Sequence, residues 1–137
     1  MKKILLLTLS MLFSFVFLLQ SQHFIGLENE EVVEKMKEAK PDFVKCKVIN
    51  KSYNYLKYQD QLGERTMLFF LDKKDKCTSV KLMSHYVYLG EVIADLNKKY
   101  ESVADNQWMY EEDGKEFVVE LEKGQWFFSV LTKPKEE

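Results

Sequence analysis

The sequence predicts an α+β protein in which one antiparallel sheet has two helices packed on one face. Two segments, residues 28–39 and 89–100, carry apolar side chains at helical spacing, and each precedes several short strand-like segments. Turn residues such as Asp113 and Gly114 separate those segments at the intervals typical of hairpins. Similar motifs in the two halves further predict two α-β-β-β repeats that form a single sheet.

The first half is predicted to form a helix followed by a series of strands. Val32, Val33 and Met36 form the apolar stripe of the helix, acidic residues fill its first turn, and Pro41 ends it. Residues 44–50 suit a short strand or an extended linker. The segments predicted to be extended after it are residues 53–59, 67–71 and 77–83, with turns around Gly63 and at residues 72–75.

The second half follows the same order. Val92, Ile93, Leu96 and Tyr100 lie on one side of the predicted helix. The strands predicted after it are residues 107–111, 117–121 and 126–132, with turns at residues 113–114 and 123–124. The polar tail begins at residue 133.

Length and composition limit what the protein does. A chain of 137 residues with 46% hydrophobic and 31% charged residues is ordinary for one globular domain. The net charge is −2 and Arg65 is the single arginine, so nucleic acid is not an expected partner. No cofactor or metal motif is found, and we predict a protein that is not an enzyme.

The first residues have the layout of a secretory signal. Lys2 and Lys3 precede an uncharged run of 16 residues, 4–19, and a polar stretch follows. We predict that residues 1–21 are a signal peptide and that residues 22–137 form one exported domain, periplasmic or extracellular. The alternative is an uncleaved membrane anchor, although about 20 apolar residues are usual for a span. No cysteine lies near the end of the run, so a lipid anchor is not expected.

Export determines how the two cysteines are interpreted. Cys46 and Cys77 are the only cysteines, and an oxidising compartment favours a disulfide between them. The alternative is two buried free thiols.

The two halves match motif by motif. Residues 31–36 align with 91–96, Leu56 and Tyr58 with Trp108 and Tyr110, residues 67–72 with 117–122, and residues 79–80 with 129–130. The repeats would span about residues 25–85 and 86–133. Chance similarity between amphipathic helices and hairpins is the alternative.

These motifs resemble a family. Gly26, Leu27, Val32 and Met36 match the start of the helix in small envelope proteins of the SmpA/OmlA type, although Glu28 stands where the family has a hydroxyl residue. Tyr55 to Tyr58, the strand at 67–72 and Val80 resemble the rest of that unit. Two units in tandem are similar to the β-lactamase-inhibitor-protein fold. The resemblance implies a protein that binds proteins through its sheet and loops.

Strand alternation predicts which residues bind a partner. Met67, Phe69 and Leu71 would face the helices, together with Phe117, Val119, Leu121, Trp126, Phe128 and Val130. The other face would expose apolar residues, and such a patch marks an interaction site. We predict partner contacts at Leu68, Phe70, Phe127 and Leu131. The alternatives are that the N-terminal segment or a homodimer covers this face, or that the strand phase is reversed.

The leading functional hypothesis is an interaction module of the bacterial envelope: an inhibitor, assembly factor or scaffold that binds another envelope or extracellular protein. A second is a carrier that holds a small apolar ligand between sheet and helices. A third is an enzyme that uses His85 with a nearby carboxylate.

Overall fold

The computed structural model describes residues 23–48 and 52–136, which form an eight-stranded antiparallel sheet with two helices. The α+β class is therefore confirmed. In chain order the elements are α1 (Asn29–Ala39), β1 (Phe43–Cys46), β2 (Tyr55–Asp60), β3 (Arg65–Leu71), β4 (Cys77–His85), a 3-10 helix (Tyr86–Tyr88), α2 (Leu89–Lys99), β5 (Glu101–Ala104), β6 (Gln107–Glu112), β7 (Lys115–Lys123) and β8 (Phe127–Pro134).

The predicted signal peptide, residues 1–21, lies outside the described residues. Within the described part of the chain, no helix has the length and apolar character needed to cross a membrane.

The strands lie in the order β1-β2-β3-β4-β8-β7-β6-β5, and every neighbouring pair is antiparallel. The last strand of each half, β4 and β8, pair at the centre. Four strands follow each helix, not the predicted three, and the difference lies at the two edges. All four residues of β5 are exposed. The sequence therefore has no alternation of buried apolar residues that would indicate this strand.

Helix α1 begins and ends where its flanking residues dictate. Glu28 is extended and forms a capping box with Glu31, which satisfies backbone N–H groups that have no partner inside the helix. At the other end the N–H of Lys40 donates to the Met36 carbonyl, and Pro41 follows. Val32 and Met36 are almost fully buried, so the predicted apolar stripe is the face that packs on the sheet.

Helix α2 follows the 3-10 helix directly. Leu96 is its buried residue, with Val92 and Ile93 packed beside it. Lys98 and Lys99 occupy the last turn, where positive charge stabilises the helix dipole.

Both helices pack on the same face of the sheet. Helix α1 packs on a cluster around Phe69, and α2 packs on a cluster around Val119 and Phe128, all three fully buried. The cross-strand register places these side chains on one face. Leu82, on β4, contacts both clusters and makes them one continuous apolar layer.

The prediction that Trp126 faces the helices is wrong. Trp126 is 77% exposed, while Phe128 and Val130 are buried as expected. The cause is the turn, because the N–H of Gly124 donates to the Phe127 carbonyl at 2.9 Å and β8 begins only at Phe127. Trp126 therefore lies before the strand, and the alternation of the strand does not determine which face its side chain is on.

The turn between β2 and β3 is held by the single arginine. The Asp60 carboxylate accepts hydrogen bonds from the N–H groups of Glu64 and Arg65 and from Arg65 Nε, at 2.9, 3.2 and 3.1 Å. The guanidinium also lies over the rings of Phe43 and Tyr88, at 5.3 and 4.8 Å. Arg65 thus ties β1, the β2–β3 turn and the 3-10 helix together.

The pKa of the Asp60 carboxyl reflects these bonds. Burial by itself raises the pKa, but the hydrogen bonds from Arg65 and Glu64 outweigh it and hold the pKa below the usual 3.8. The carboxylate therefore contributes stability at neutral pH, and this contribution is lost as the pH falls through the folded-state pKa.

The alternation of β3 predicts opposite effects of neighbouring substitutions. Phe69→Ala removes a fully buried ring and should lower the free energy of unfolding by about 3–5 kcal/mol. Phe70→Ala, on the opposite face, is the matched control and should cost about 1 kcal/mol. Urea unfolding followed by circular dichroism measures both. Equal costs would contradict the assignment of the two faces.

The Asp60 contacts predict an acid-dependent loss of stability. Asp60→Asn should lower the free energy of unfolding at pH 7 by about 2 kcal/mol, because it weakens charge-assisted hydrogen bonds. The difference from the parent should shrink as the pH falls below about 4. Asp42→Asn is the control, since Asp42 contacts the same guanidinium at 3.4 Å from an exposed position and should change little. A difference independent of pH would exclude the proposed role of the carboxylate charge.

Candidate functional site

We call the side of the sheet opposite the helices the open face, and define it by Leu68, Phe70, Met83, Phe127 and Leu131 with the charged residues between them. The four predicted contact residues all lie on it. Phe127 is 43% exposed and the other three are half-buried. Their neighbours along β3 and β8 are the buried core residues, so the predicted strand phase agrees with the structure.

The structure brings three of these residues together. Leu68 pairs across the strands with Lys81, and Lys81 pairs with Leu131, so the two leucines flank one lysine in a single row. Phe70 lies two residues along β3 from Leu68, and its ring is 6.3 Å from that of Tyr55. Phe127 lies about 13 Å along β8 from Leu131 and belongs to a separate end of the face.

Charge on the open face is divided between the two halves. The row through Leu68 continues to Lys57 on β2 and to Lys81 on β4. Beyond Leu131 the row reaches Glu120 on β7, whose carboxylate lies 3.9 Å from Lys133 Nζ. The row therefore runs from two lysines, Lys57 and Lys81, to the carboxylate of Glu120, with Leu68 and Leu131 on either side of Lys81.

A polar hollow lies on the acidic side of the open face. Its volume is about 380 Å³, and Lys81, Asn106, Gln107, Glu120 and Leu131 are among the residues that line it. It adds hydrogen-bonding groups to the apolar row.

At the end of the open face where β8 begins, Trp126 and Phe127 form an exposed aromatic patch beside Met83 and His85. His85 Nδ1 accepts the N–H of Val87 at 3.3 Å and caps the 3-10 helix. This contact gives the imidazole a structural role.

The N-terminal segment does not cover the open face as far as it is described. Phe24 and Ile25 are buried on the helix side, where the Phe24 ring lies 4.9 Å from that of Phe69. His23 Nδ1 lies 2.8 Å from a Glu112 carboxylate oxygen at the end of β6. One of the expected alternatives, cover by this segment, is therefore wrong for residues 23–28.

A cavity of about 390 Å³ lies on the helix side, where both helices end. We call it the helix-side cavity. Its floor is the centre of the sheet, formed by Met67, Val80, Leu82, Val130 and Thr132. Its walls come from the ends of α1 and α2, from the ring of Tyr110, and from Phe24 and Ile25.

Two lysines line this cavity, Lys40 after α1 and Lys99 at the end of α2. Lys99 pairs with Asp95 at 2.8 Å, whereas Lys40 Nζ lies over the Phe43 ring at 5.6 Å. Burial lowers the pKa of the Lys40 ammonium, and repulsion from Lys99 and Arg65 adds to it against the attraction of Asp42 and Asp95.

Aromatic rings line the cavity beside Lys40 and Lys99. The rings of Tyr100 and Tyr110 are stacked at 4.6 Å, and Tyr110 stacks on Phe117 at 5.0 Å. Burial, with repulsion from nearby carboxylates, raises the pKa of both phenols above 10.0. The wall therefore remains uncharged at physiological pH.

The predicted disulfide is not formed in the structure, where both cysteines are free. Cys77 is buried in the α1 cluster, and Cys46 lies on the other face of the sheet, with Sγ 3.8 Å from Gln59 Oε1. Three strand intervals separate β1 from β4, about 14 Å, whereas a disulfide needs Cα atoms within about 7 Å. Burial raises the pKa of the Cys77 thiol to about 11.

Sequence reasoning placed Met67 and Val130 on the helix side of the sheet but missed the cavity there and the two lysines that line it. One available signal was the repeat itself, because residues 39 and 40 occupy the same positions after the α1 motif as residues 99 and 100 after the α2 motif. The charged members of the open face, Lys57, Lys81 and Glu120, were also missed. Alternation along each strand places them there once register is known.

Comparison with models of known protein families, with curated proteins and with solved structures found no match. Among the described residues, no three or more His, Cys, Asp and Glu side chains group in a way that could hold a metal ion.

The positions of the cysteines predict unequal reactivity. In native protein at pH 8, iodoacetamide should modify Cys46 quickly and leave Cys77 unmodified, because the Cys77 thiol is buried and protonated. Both should react after unfolding in guanidinium chloride. Mass spectrometry of Cys46→Ser is the control and should show no rapid modification. Two unreactive cysteines that react only after reduction would instead indicate the disulfide.

Proposed function

We propose that this protein is an exported, non-enzymatic interaction module of the bacterial envelope that binds another protein through the open face. The observation that carries the proposal is the group of accessible apolar residues Leu68, Phe70 and Leu131, with Lys81 between the two leucines, on the side of the sheet opposite both helices. Accessible apolar residues on a sheet face mark an interaction site, and the charged residues among them can determine which partner fits.

The charge pattern indicates which partner fits. A partner whose apolar side chains contact Leu68 and Leu131 would need acidic groups near Lys81, which lies between them, and near Lys57, and basic groups near Glu120. A second copy of the chain, turned by a two-fold axis, would place its acidic side against the lysines. A homodimer is therefore one form that the complex can take.

Export is supported by the first residues alone. The two lysines, the uncharged run at 4–19 and the polar residues after it have the layout of a signal peptide. We propose that the protein functions after cleavage near Ser21, in the periplasm or outside the cell.

We also propose that the chain is a tandem repeat, now with four strands in each unit. The support is the register of the second and third strands of each half. Leu56 pairs with Phe69 and Tyr58 with Met67, and the positions that align with them make the same pairs, Trp108 with Val119 and Tyr110 with Phe117. The last hairpin differs, since Phe69 pairs with Val80 but Val119 with Thr132. This two-unit arrangement fits the resemblance to tandem SmpA/OmlA units, which stays a prediction.

Site-specific crosslinking tests the interaction. A photoreactive amino acid placed at position 70 or 131 should give a discrete adduct with one protein in living cells, because these positions lie in the proposed contact. The same amino acid at position 62, where Leu62 is 77% exposed in a turn, is the matched control and should give none. Adducts at position 62 alone, or none at any position, would contradict binding through the open face.

Substitution separates binding from folding. Phe70→Asp should abolish the adduct formed from position 131 and lower the melting temperature by only several degrees, so that the protein stays folded, since Phe70 is half-buried. Leu62→Asp makes the same chemical change outside the open face and should leave the adduct intact. Unfolding of Phe70→Asp would show that this side chain belongs to the core.

A second candidate function has its own observation. The helix-side cavity supports the proposal that the protein carries a small, mainly apolar ligand between sheet and helices. Its volume of about 390 Å³ lies within the range of about 300–1,000 Å³ usual for small-molecule sites.

A further inference from the structure

Positive charge lies where the helix-side cavity meets the ends of the two helices. The cavity is bounded by Lys40 and Lys99 at these ends, while its floor is the apolar centre of the sheet. In the described part of the chain no carboxylate lies within 4 Å of Lys40 Nζ, and the one ion pair there joins Lys99 to Asp95. The site is thus apolar at its floor and cationic at one margin.

An ordinary structural role explains only part of this arrangement. A lysine after a helix complements the helix dipole, and it does so best when its ammonium is in water. Lys40 instead is half-buried and rests over the ring of Phe43, and repulsion from Lys99 and Arg65 acts on its ammonium against the attraction of Asp42 and Asp95. An anion between Lys40 and Lys99 would relieve this repulsion and provide charge-assisted hydrogen bonds.

The remaining walls are suited to a hydrocarbon chain. Met67, Val80, Leu82 and Val130 present aliphatic side chains, and Tyr100 and Tyr110 present stacked, uncharged rings. A cavity of about 390 Å³ is at the small end of known ligand sites, which favours one tail over two.

We propose that the helix-side cavity binds one single-chain amphiphile, with its anionic head group held by Lys40 and Lys99 and its apolar tail on the floor of Val80, Leu82 and Val130. This inference rests on the carrier function proposed above and names its ligand class. A carboxylate or a phosphate head group satisfies the same two ammonium groups. The open face takes no part in this site, because its side chains point away from the helices.

Binding of four amphiphiles of equal chain length tests the proposal. Protein expressed from the whole sequence is purified without detergent, in the form that the cell accumulates. Dodecanoate, dodecyl phosphate, 1-dodecanol and dodecyltrimethylammonium are titrated by calorimetry below their micellar concentrations. At least one of the two anions should bind at least about ten-fold more tightly than the alcohol, since one charge-assisted hydrogen bond provides that much, and the cation should bind most weakly. The tighter of the two anions identifies the head group.

Variants of the two lysines locate the head group. The double variant Lys40→Met, Lys99→Met keeps the side-chain length and should bring the affinity for the anions down to that for the alcohol. Lys98→Met removes an exposed lysine of the same helical turn and should change nothing. If the double variant fails to fold, Lys40→Met alone should still weaken binding of the anions while leaving that of the alcohol unchanged.

The outcomes separate the two proposals. Equal binding of the alcohol and both anions would overturn the anionic head group and leave the carrier function standing. Binding of none of the four would overturn both. An anion preference that persists in the lysine variants would place the head group elsewhere and overturn the site.

Discussion

The pairing of β4 with β8 is the interaction on which the rest of the structure depends. Each half makes its own four-stranded meander, and within the described residues this antiparallel pair is the strand pairing that joins them into one sheet. Its register puts Leu82 opposite Val130 on the helix side and Lys81 opposite Leu131 on the open face. A shift by one residue would exchange the two faces. The helix-side cavity would then lose its apolar floor, and the open face would lose its row of leucines.

The elements that sequence reasoning identified best are those with a strong apolar period. Val32 and Met36 located α1, and the alternation of residues 67–71 and 117–121 gave the correct inward face of β3 and β7. The failures have a common physical origin. Strand β5 has no buried residue, Trp126 lies in a turn before its strand, and the two cysteines lie on opposite faces of the sheet. Periodicity reports burial and carries no information on edges, turns or distances between strands.

The candidate surfaces were predictable to different degrees. Alternation alone identified Leu68, Phe70 and Leu131 as members of one face, because a strand has only two faces. The spacing of four residues along β8 also separates Phe127 from Leu131. Which of the two lies beside Leu68 could not be predicted, since that depends on the register of β4 with β3 and β8. The helix-side cavity depends on where two helices end over the sheet. No local pattern encodes this, and Lys40 and Lys99 read in isolation as ordinary residues at helix ends.

The two faces differ in how well they satisfy the rules that stabilise a fold. On the open face, apolar residues are interspersed with lysines and glutamates, an arrangement that keeps an accessible sheet soluble. On the helix side, the side chains around Phe69, Val119 and Phe128 form a buried apolar layer. The helix-side cavity opens beside this layer, with half-buried Lys40 at its margin. Burial of an ammonium group costs stability, and the attraction of Asp42 and Asp95 works against this cost. A carboxylate in contact with Lys40 would offset it further by simple substitution. That this half-buried charge lies beside an apolar cavity is the reason to assign a ligand there, because departures from local consistency are expected where function requires them.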